Sequence, residues 1–368
     1  MIQGRTVRNL YHPMERGGHM DIDWRLIEAK TDERVHVVGI ALPEDRMGGR
    51  KTVEYSELIM PPRFLVLMVT LLLLPGCNDF LAKQMVAPPN GHSPERASVK
   101  KDVDASSNAG GEMELHVAVG EPRATLAVWI LSPRGVLPVR GTILALHGFL
   151  NDHHQVEPAA HALADAGYRV VMVDLRGHGE STGDYITYGV RDAQDLAELA
   201  THLQSMGLCG DSVGVFGTSY GAGTALLLAG SDSRVKAVVA VAPFTTLRQE
   251  APYFGKHLMP IPGLIMSDAD YAYVIDRMGH LASFDPDLCS PIAAMHQTAA
   301  HVRLFHGDAD MIIPSQSSRD IAAAAPGQTQ LTVVHGLGHL ALVFDPLGTL
   351  HSPTREWFDR YLAGNLAN

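Results

Sequence analysis

The chain of 368 residues is poor in cysteine, with only Cys77, Cys209 and Cys289. Three cysteines cannot build a disulfide-stapled scaffold. The absence of a CxxC pair argues against a structural zinc site of the usual kind. No basic cluster is visible and the formal net charge is −11, so the patch or stripe expected of a nucleic-acid binder is missing. Only one long apolar run occurs, which excludes a multi-pass membrane protein. No fixed-period repeat is present, which excludes a solenoid or propeller. With 46% hydrophobic residues the chain is too apolar to be disordered. It is long enough to bury a large core. Nineteen histidines are scattered along it, and the pair His153-His154 reads as an exposed polar loop. Nothing in the charge balance selects a partner.

The one long apolar run is residues 64–74, FLVLMVTLLLL. A spanning helix needs about 20 residues, whereas a shorter run suits the core of a signal peptide. Arg63 precedes the run and Leu74-Pro75-Gly76-Cys77 follows it. This segment, residues 60–77, resembles a bacterial lipoprotein signal, although Pro75 departs from the commonest pattern. The resemblance implies that Cys77 is lipidated and becomes the mature N-terminus, anchoring the protein to the cell envelope. A signal of this kind should open a protein, so translation is expected to start at Met60. Residues 1–59 then form a doubtful extension, a start-site artefact with only short apolar stretches such as Val35–Leu42.

Residues 78–111 carry Pro88-Pro89-Asn90-Gly91, Ser93-Pro94 and Ser106-Ser107-Asn108-Ala109-Gly110-Gly111. Such composition loosens a chain, and a tether is expected there. From Glu112 the pattern changes. Two strand-like stretches, Glu114–Val119 and Thr125–Leu131, flank the turn signal Gly120-Glu121-Pro122. Apolar strands at Gly141–His147, Arg169–Asp174, Ser212–Phe216, Val235–Val241, His301–Phe305 and Gln330–Val334 then alternate with helical spacing. The clearest helix is Val190–Met206, with Ala193, Leu196, Leu199 and Leu203 on one face. Strands alternating with helices predict an α/β domain over 112–364, with a mostly parallel sheet of about eight strands covered on both faces. Residues 245–295 break the alternation and read as a small helical cap, with a helix around Asp268–His280.

Gly217-Thr218-Ser219-Tyr220-Gly221 fits G-x-S-x-G, behind an apolar strand and ahead of a small-residue helix. That context suits a sharp turn that exposes Ser219 Oγ. A serine hydroxyl is a weak nucleophile and needs a base held by an acid. His306-Gly307-Asp308-Ala309-Asp310 and Gly336-Leu337-Gly338-His339 each follow a later strand, in the order nucleophile, acid, base.

These motifs resemble the α/β-hydrolase superfamily over roughly residues 112–364. The resemblance implies Ser219 as nucleophile, His339 as general base and Asp310 as the acid. Asp308 is the rival acid and is expected to shape the turn instead. His335 is expected to be structural, and His351 is a weaker rival base. The HGF segment, His147-Gly148-Phe149, implies an oxyanion site formed by the backbone N–H groups of Phe149 and Tyr220. Asp174-Leu175-Arg176-Gly177-His178-Gly179-Glu180-Ser181 resembles a structural family segment that braces loops. Asp195 is expected to bond locally or face solvent. No metal or organic cofactor is implied.

Within the superfamily the chain resembles monoacylglycerol lipases, small carboxylesterases and serine aminopeptidases. A small-molecule carboxylic ester is the expected substrate, cleaved through an acyl-serine. The alternatives are a serine aminopeptidase and an acyltransferase on the same scaffold. An aminopeptidase should hold a free amine with a carboxylate, for which Asp268, Asp270 and Asp276 are available in the cap. The apolar stretch Leu258–Met266 could line a lipid-like pocket. Cys209 and Cys289 should lie at opposite edges of the sheet, too far apart to bridge. The oligomeric state is not readable.

Overall fold

The structure, a computed structural model, describes residues 25–30, 36–41, 77–91, 105–107, 112–133, 138–258 and 266–363. The chain divides into two units, residues 1–65 and residues 66–368. In the first, β1 (Arg25–Lys30) and β2 (His36–Ala41) pair antiparallel, Arg25 opposite Ala41. The apolar run 64–74 lies outside the described residues, as does the side chain of Cys77. Among the described residues, no helix is long and apolar enough to cross a membrane.

The second unit is built on a nine-stranded sheet in the order β11-β10-β9-β8-β6-β7-β5-β4-β3. Strands β3 (Ala105–Ser107), β4 (Glu112–Val119) and β5 (Ala124–Leu131) form an antiparallel edge. The six strands β6 (Thr142–Leu146), β7 (Arg169–Val173), β8 (Val213–Thr218), β9 (Val235–Val241), β10 (His301–Gly307) and β11 (Thr329–Val334) run parallel. The sheet has one strand beyond the eight expected, the three-residue β3. Every residue of β6 and β8 is buried, as a strand covered by helices on both faces requires.

Two apolar layers sandwich the sheet. On one face pack α3 (Val190–Ser205) and α4 (Tyr220–Ser231), with Leu196, Leu199, Leu203 and Leu226 fully buried. On the other pack α2 (Glu157–Asp165) and α10 (His351–Tyr361), with Leu163 and Phe358 buried. A buried Leu or Phe contributes about 1.5–3 kcal/mol each.

A third apolar cluster holds the cap. Helices α5 (Leu247–Leu258) and α6 (Asp268–Ala282) and the short α7 (Pro291–Ala294) follow β9. Against α6 packs α1 (Cys77–Val86), burying Ala82 and Val86 beside Val274 and Met278. The expected tether therefore gives way at its start to a docked helix. Leu81, Ala82, Met85 and Val86 make an apolar stripe at helical spacing, and Pro88-Pro89 ends it. Polar contacts fasten its first turn: Asn78 Nδ2 donates to Asp270, and Arg277 Nε and Tyr273 O–H donate to Asp79.

Asp195 is also corrected. It is buried on α3 and takes two hydrogen bonds from Arg176, each 2.7 Å. The loop carrying Arg176 is braced by Asp174, which accepts from the backbone of His153 and Glu180. His153 is buried rather than exposed: Asp174 holds its Nδ1 and its ring stacks on Trp129. Cys209 and Cys289 are both buried and both free.

Candidate active site

Strand β8 ends at Thr218 and α4 begins at Tyr220, so the chain reverses on Ser219 alone. Ser219 has φ 52° and ψ −112°, a conformation disfavoured for a residue with a side chain. Two glycines permit the turn. A Cβ at Gly217 would lie 2.3 Å from the Gly221 carbonyl oxygen, and one at Gly221 would lie 2.4 Å from that of Leu146. The Ser219 N–H donates to the Val241 carbonyl at 2.8 Å, tying the turn to β9.

His339 opens α9 (His339–Phe344), directly after the loop that leaves β11. Its Nε2 lies 2.9 Å from Ser219 Oγ and its Nδ1 2.7 Å from Asp310 Oδ2. With a carboxylate at Nδ1, that nitrogen carries the proton and Nε2 accepts from the serine hydroxyl. Asp310 is buried, and its other oxygen accepts the N–H groups of Ile312 and Ile313. Burial opposes its charge, but hydrogen bonds with His306 and His339 and from the Ile313 backbone prevail. They hold the carboxyl well below the usual range. His306 is itself fixed, its Nε2 donating to the Ile313 carbonyl and its Nδ1 accepting from Ser318.

The rivals lie elsewhere. Asp308 accepts from the exposed His335 and from the Gly336 N–H, which places both on the turn. His351 begins α10 and lines a separate cleft with Leu342 and Thr354.

Phe149 follows β6, and its ring stacks between Tyr188 and Tyr220 with centroids 6.3 and 6.2 Å away. His147 is buried beside it. Its Nε2 accepts the Leu175 N–H, so its Nδ1 donates to the Gly148 carbonyl. Burial and the neighbouring His178 push its pKa down to about 4, which keeps it neutral. Tyr220 is the first residue of α4, where N–H groups have no partner within the helix. Its hydroxyl donates to the buried Asp192 at 2.9 Å, pinning it to α3. Phe149 and Tyr220 line the same cavity as Ser219.

Beside the triad lies a cavity of about 270 Å³ lined by Ser219, His339, Phe149 and Tyr220. Its cap wall is one stripe of α5: Leu247, Glu250, Ala251 and Phe254. These positions follow helical spacing, and Glu250 is the intruder among apolar neighbours. Its Oε1 is buried and makes no hydrogen bond within the protein. Burial, and after it the charge of Asp310, push its pKa up to about 8. The sequence carries the signal for Glu250, a carboxylate on an apolar helical stripe, though the motifs point elsewhere. The acids expected there are engaged outside the cavity: Asp268 with Lys256, Asp270 with Ser267 and Asn78, Asp276 with Arg248. Of the stretch Leu258–Met266, residues 259–265 lie outside the described residues. Met85 of α1 also lines the cavity.

Three comparisons bear on this geometry. The model of the X-Pro dipeptidyl-peptidase (S15) family matches residues 95–286. YqkD, an uncharacterized protein of Bacillus subtilis, is 25% identical over 221 residues, 59% of this chain and 71% of its own length. Among solved structures, the Pyrococcus furiosus esterase Pf2001 superposes with a TM-score of 0.55 at 19% identity, covering 76% of this chain and 98% of the esterase. A proline iminopeptidase from Mycobacterium smegmatis superposes with a TM-score of 0.51 at 16% identity, covering 69% and 100%. At these identities the superpositions establish the shared fold.

Proposed function

The chain belongs to the X-Pro dipeptidyl-peptidase (S15) family and is a serine hydrolase of the α/β-hydrolase superfamily, and from that premise we propose that it acts as a peptidase on small substrates bearing a free amine. The observation that carries this reading is Glu250. Its carboxyl, with Oε1 buried and unpartnered, sits in an apolar wall of the cavity that Ser219 also lines. Such a group is costly to bury and gains most from a protonated amine. Peptidases of the matched family and the superposed iminopeptidase carry names consistent with amine-bearing substrates.

Chemistry then follows from the distances. Ser219 Oγ attacks the substrate carbonyl carbon while His339 Nε2 takes its proton, and Asp310 stabilises the imidazolium. The oxyanion forms against the N–H groups of Phe149 and Tyr220, donors typically worth about 2.7–4 kcal/mol each in the transition state. His339 returns the proton to the leaving amine, and the C–N bond breaks. Water activated by His339 then releases the acyl group from Ser219. Glu250 holds the substrate's ammonium and sets the register of the carbonyl.

An ester-cleaving reading is favoured by the other cavity walls, where Phe149, Tyr188, Phe244 and Ile313 are apolar. Hydrolysis of paired substrates separates the two. Aminoacyl and dipeptidyl amides, free or N-acetylated, would be compared with simple acyl esters, using Ser219→Ala as control. Preference for the free amine supports the peptidase; turnover of acyl esters alone supports the esterase.

We also infer that residues 60–77 act as a lipoprotein-type signal, with the enzyme held to the cell envelope through Cys77. Mass spectrometry of the native N-terminus tests this. A lipid-modified Cys77 is expected, and a peptide from residues 1–59 would contradict it.

A further inference from the structure

The cavity mouth carries an uncommon amount of exposed apolar side chain. Leu150, Leu340 and Phe344 line the cavity and remain 68%, 61% and 44% exposed. Met311, next to the lining residue Ile312, is 64% exposed, and Leu347, three residues beyond Phe344, is 77% exposed. Leu150 follows β6, Met311 follows β10, and Leu340, Phe344 and Leu347 lie on or just after α9. Single exposed leucines are ordinary on a protein surface; several large apolar side chains exposed at one cavity mark an interaction surface.

Helix α1 indicates what covers it. In sequence, α1 follows directly on the apolar run 64–74 and the proposed lipoprotein-type signal ending at Cys77. Met85 at the other end of α1 lines the cavity. Eight residues of helix separate Cys77 from Met85, a rise of about 12 Å. The helix is fixed rather than swinging. Ala82 and Val86 are buried against the cap, the Tyr188 hydroxyl donates to the Met85 carbonyl, and the Ile186 N–H donates to that of Val86. A lipid on Cys77 would therefore be attached about two helical turns from the Met85 position in the cavity wall, on a rigid spacer. With a net charge of −11 the chain has no general attraction to an anionic membrane surface. Contact must come from the anchor and from apolar insertion.

We propose that the cavity mouth docks on the lipid bilayer through Leu150, Met311, Leu340, Phe344 and Leu347, held there by α1, so that substrates enter the site from the membrane surface. This rests on the anchoring reading of residues 60–77 and not on the choice between peptide and ester. It assigns α1 a double role, as the carrier of the attachment point and as part of the cavity wall. It also explains why the segment behind the lipobox is a docked helix instead of a loose tether: a loose tether would leave the mouth free to face away.

The test needs no turnover. A benzophenone amino acid would be placed singly at Met311, Leu347 or Ser231 in the full chain, reconstituted with phosphatidylcholine vesicles. Ser231 is exposed at the far end of α4 from Ser219 and serves as the remote control. After irradiation, lipid adducts are expected at 311 and 347 and not at 231. Vesicle-bound protein with no adduct at 311 or 347, or with equal adduct at 231, would overturn the docking. Protein that does not float with vesicles would overturn the docking and the anchor together. Unchanged hydrolysis of a soluble substrate by each labelled chain verifies its fold, since neither 311 nor 347 lines the cavity.

Discussion

Asp310 acts on two carboxyl-sensitive partners at once: it holds the His339 imidazole at 2.7 Å, and its charge raises the proton affinity of Glu250. The acid of the triad and the proposed amine-binding group of the pocket are therefore electrostatically linked. With its pKa at about 8, Glu250 is mostly neutral at pH 6 and mostly ionised above pH 8.5 or so. A substrate α-amine loses its proton with a pKa of about 7.7–8.0. For a free-amine substrate, kcat/KM is expected to rise from pH 6 toward 8 as Glu250 ionises. It should fall at higher pH as the amine becomes neutral. An N-acetylated substrate should lack this peak. Glu250→Gln should flatten it and lower kcat/KM for the free amine by about 10- to 100-fold, the worth of one hydrogen bond to a charged group. The pH profiles of both substrates with both proteins check this.

Asp310 and Asp308 stand two residues apart but face different partners. Asp310→Asn should lower kcat by about 10⁴-fold, because the amide cannot hold His339 in the required tautomer. Asp308→Asn removes only a surface contact with His335, and kcat should stay within about threefold, as for a surface substitution. Steady-state kinetics of the pair distinguishes the two acids.

Gly221 faces the carbonyl oxygens of Leu146 and His147, 2.4 and 2.5 Å from where a Cβ would lie. Backbone at that distance cannot yield as a side chain could. Gly221→Ala should push α4 away from β6, costing about 1–3 kcal/mol or more and displacing Ser219 from His339. Urea unfolding with parallel rate measurements should record both losses.

The buried pair of Arg176 and Asp195 ties the loop after β7 to α3. Arg176→Met leaves the buried Asp195 carboxyl without its hydrogen-bond partner and should destabilise by about 3–5 kcal/mol. Adding Asp195→Leu should recover most of that loss, since an apolar pair of similar volume removes the stranded carboxyl. Urea midpoints of the single and double variants check it.

Much of this was legible along the chain. The parallel strands β6 to β9 announce themselves as largely apolar runs, because both of their faces are covered. The triad could be read because G-x-S-x-G, HGDAD and GLGH each sit where a strand ends. What escaped depends on contacts far apart in sequence. Asp195 looks like a surface acid on α3 until Arg176, nineteen residues earlier, is brought to it. Residues 77–86 look like a loose polar lead-in until α6 supplies the apolar face they cover. Glu250 was obscured by three nearby acids in the cap, whose partners lie outside the cavity. Only the burial of its stripe singles it out.

The central claim is that Ser219 is the nucleophile, activated by His339 and Asp310. The most direct measurement is peptide mapping by mass spectrometry after reaction of the full chain with a fluorophosphonate. The account predicts one adduct, on Ser219, formed at least about 10³-fold more slowly in His339→Ala, where the activating base is gone. An adduct on another residue, or an active enzyme that takes none on Ser219, would contradict it.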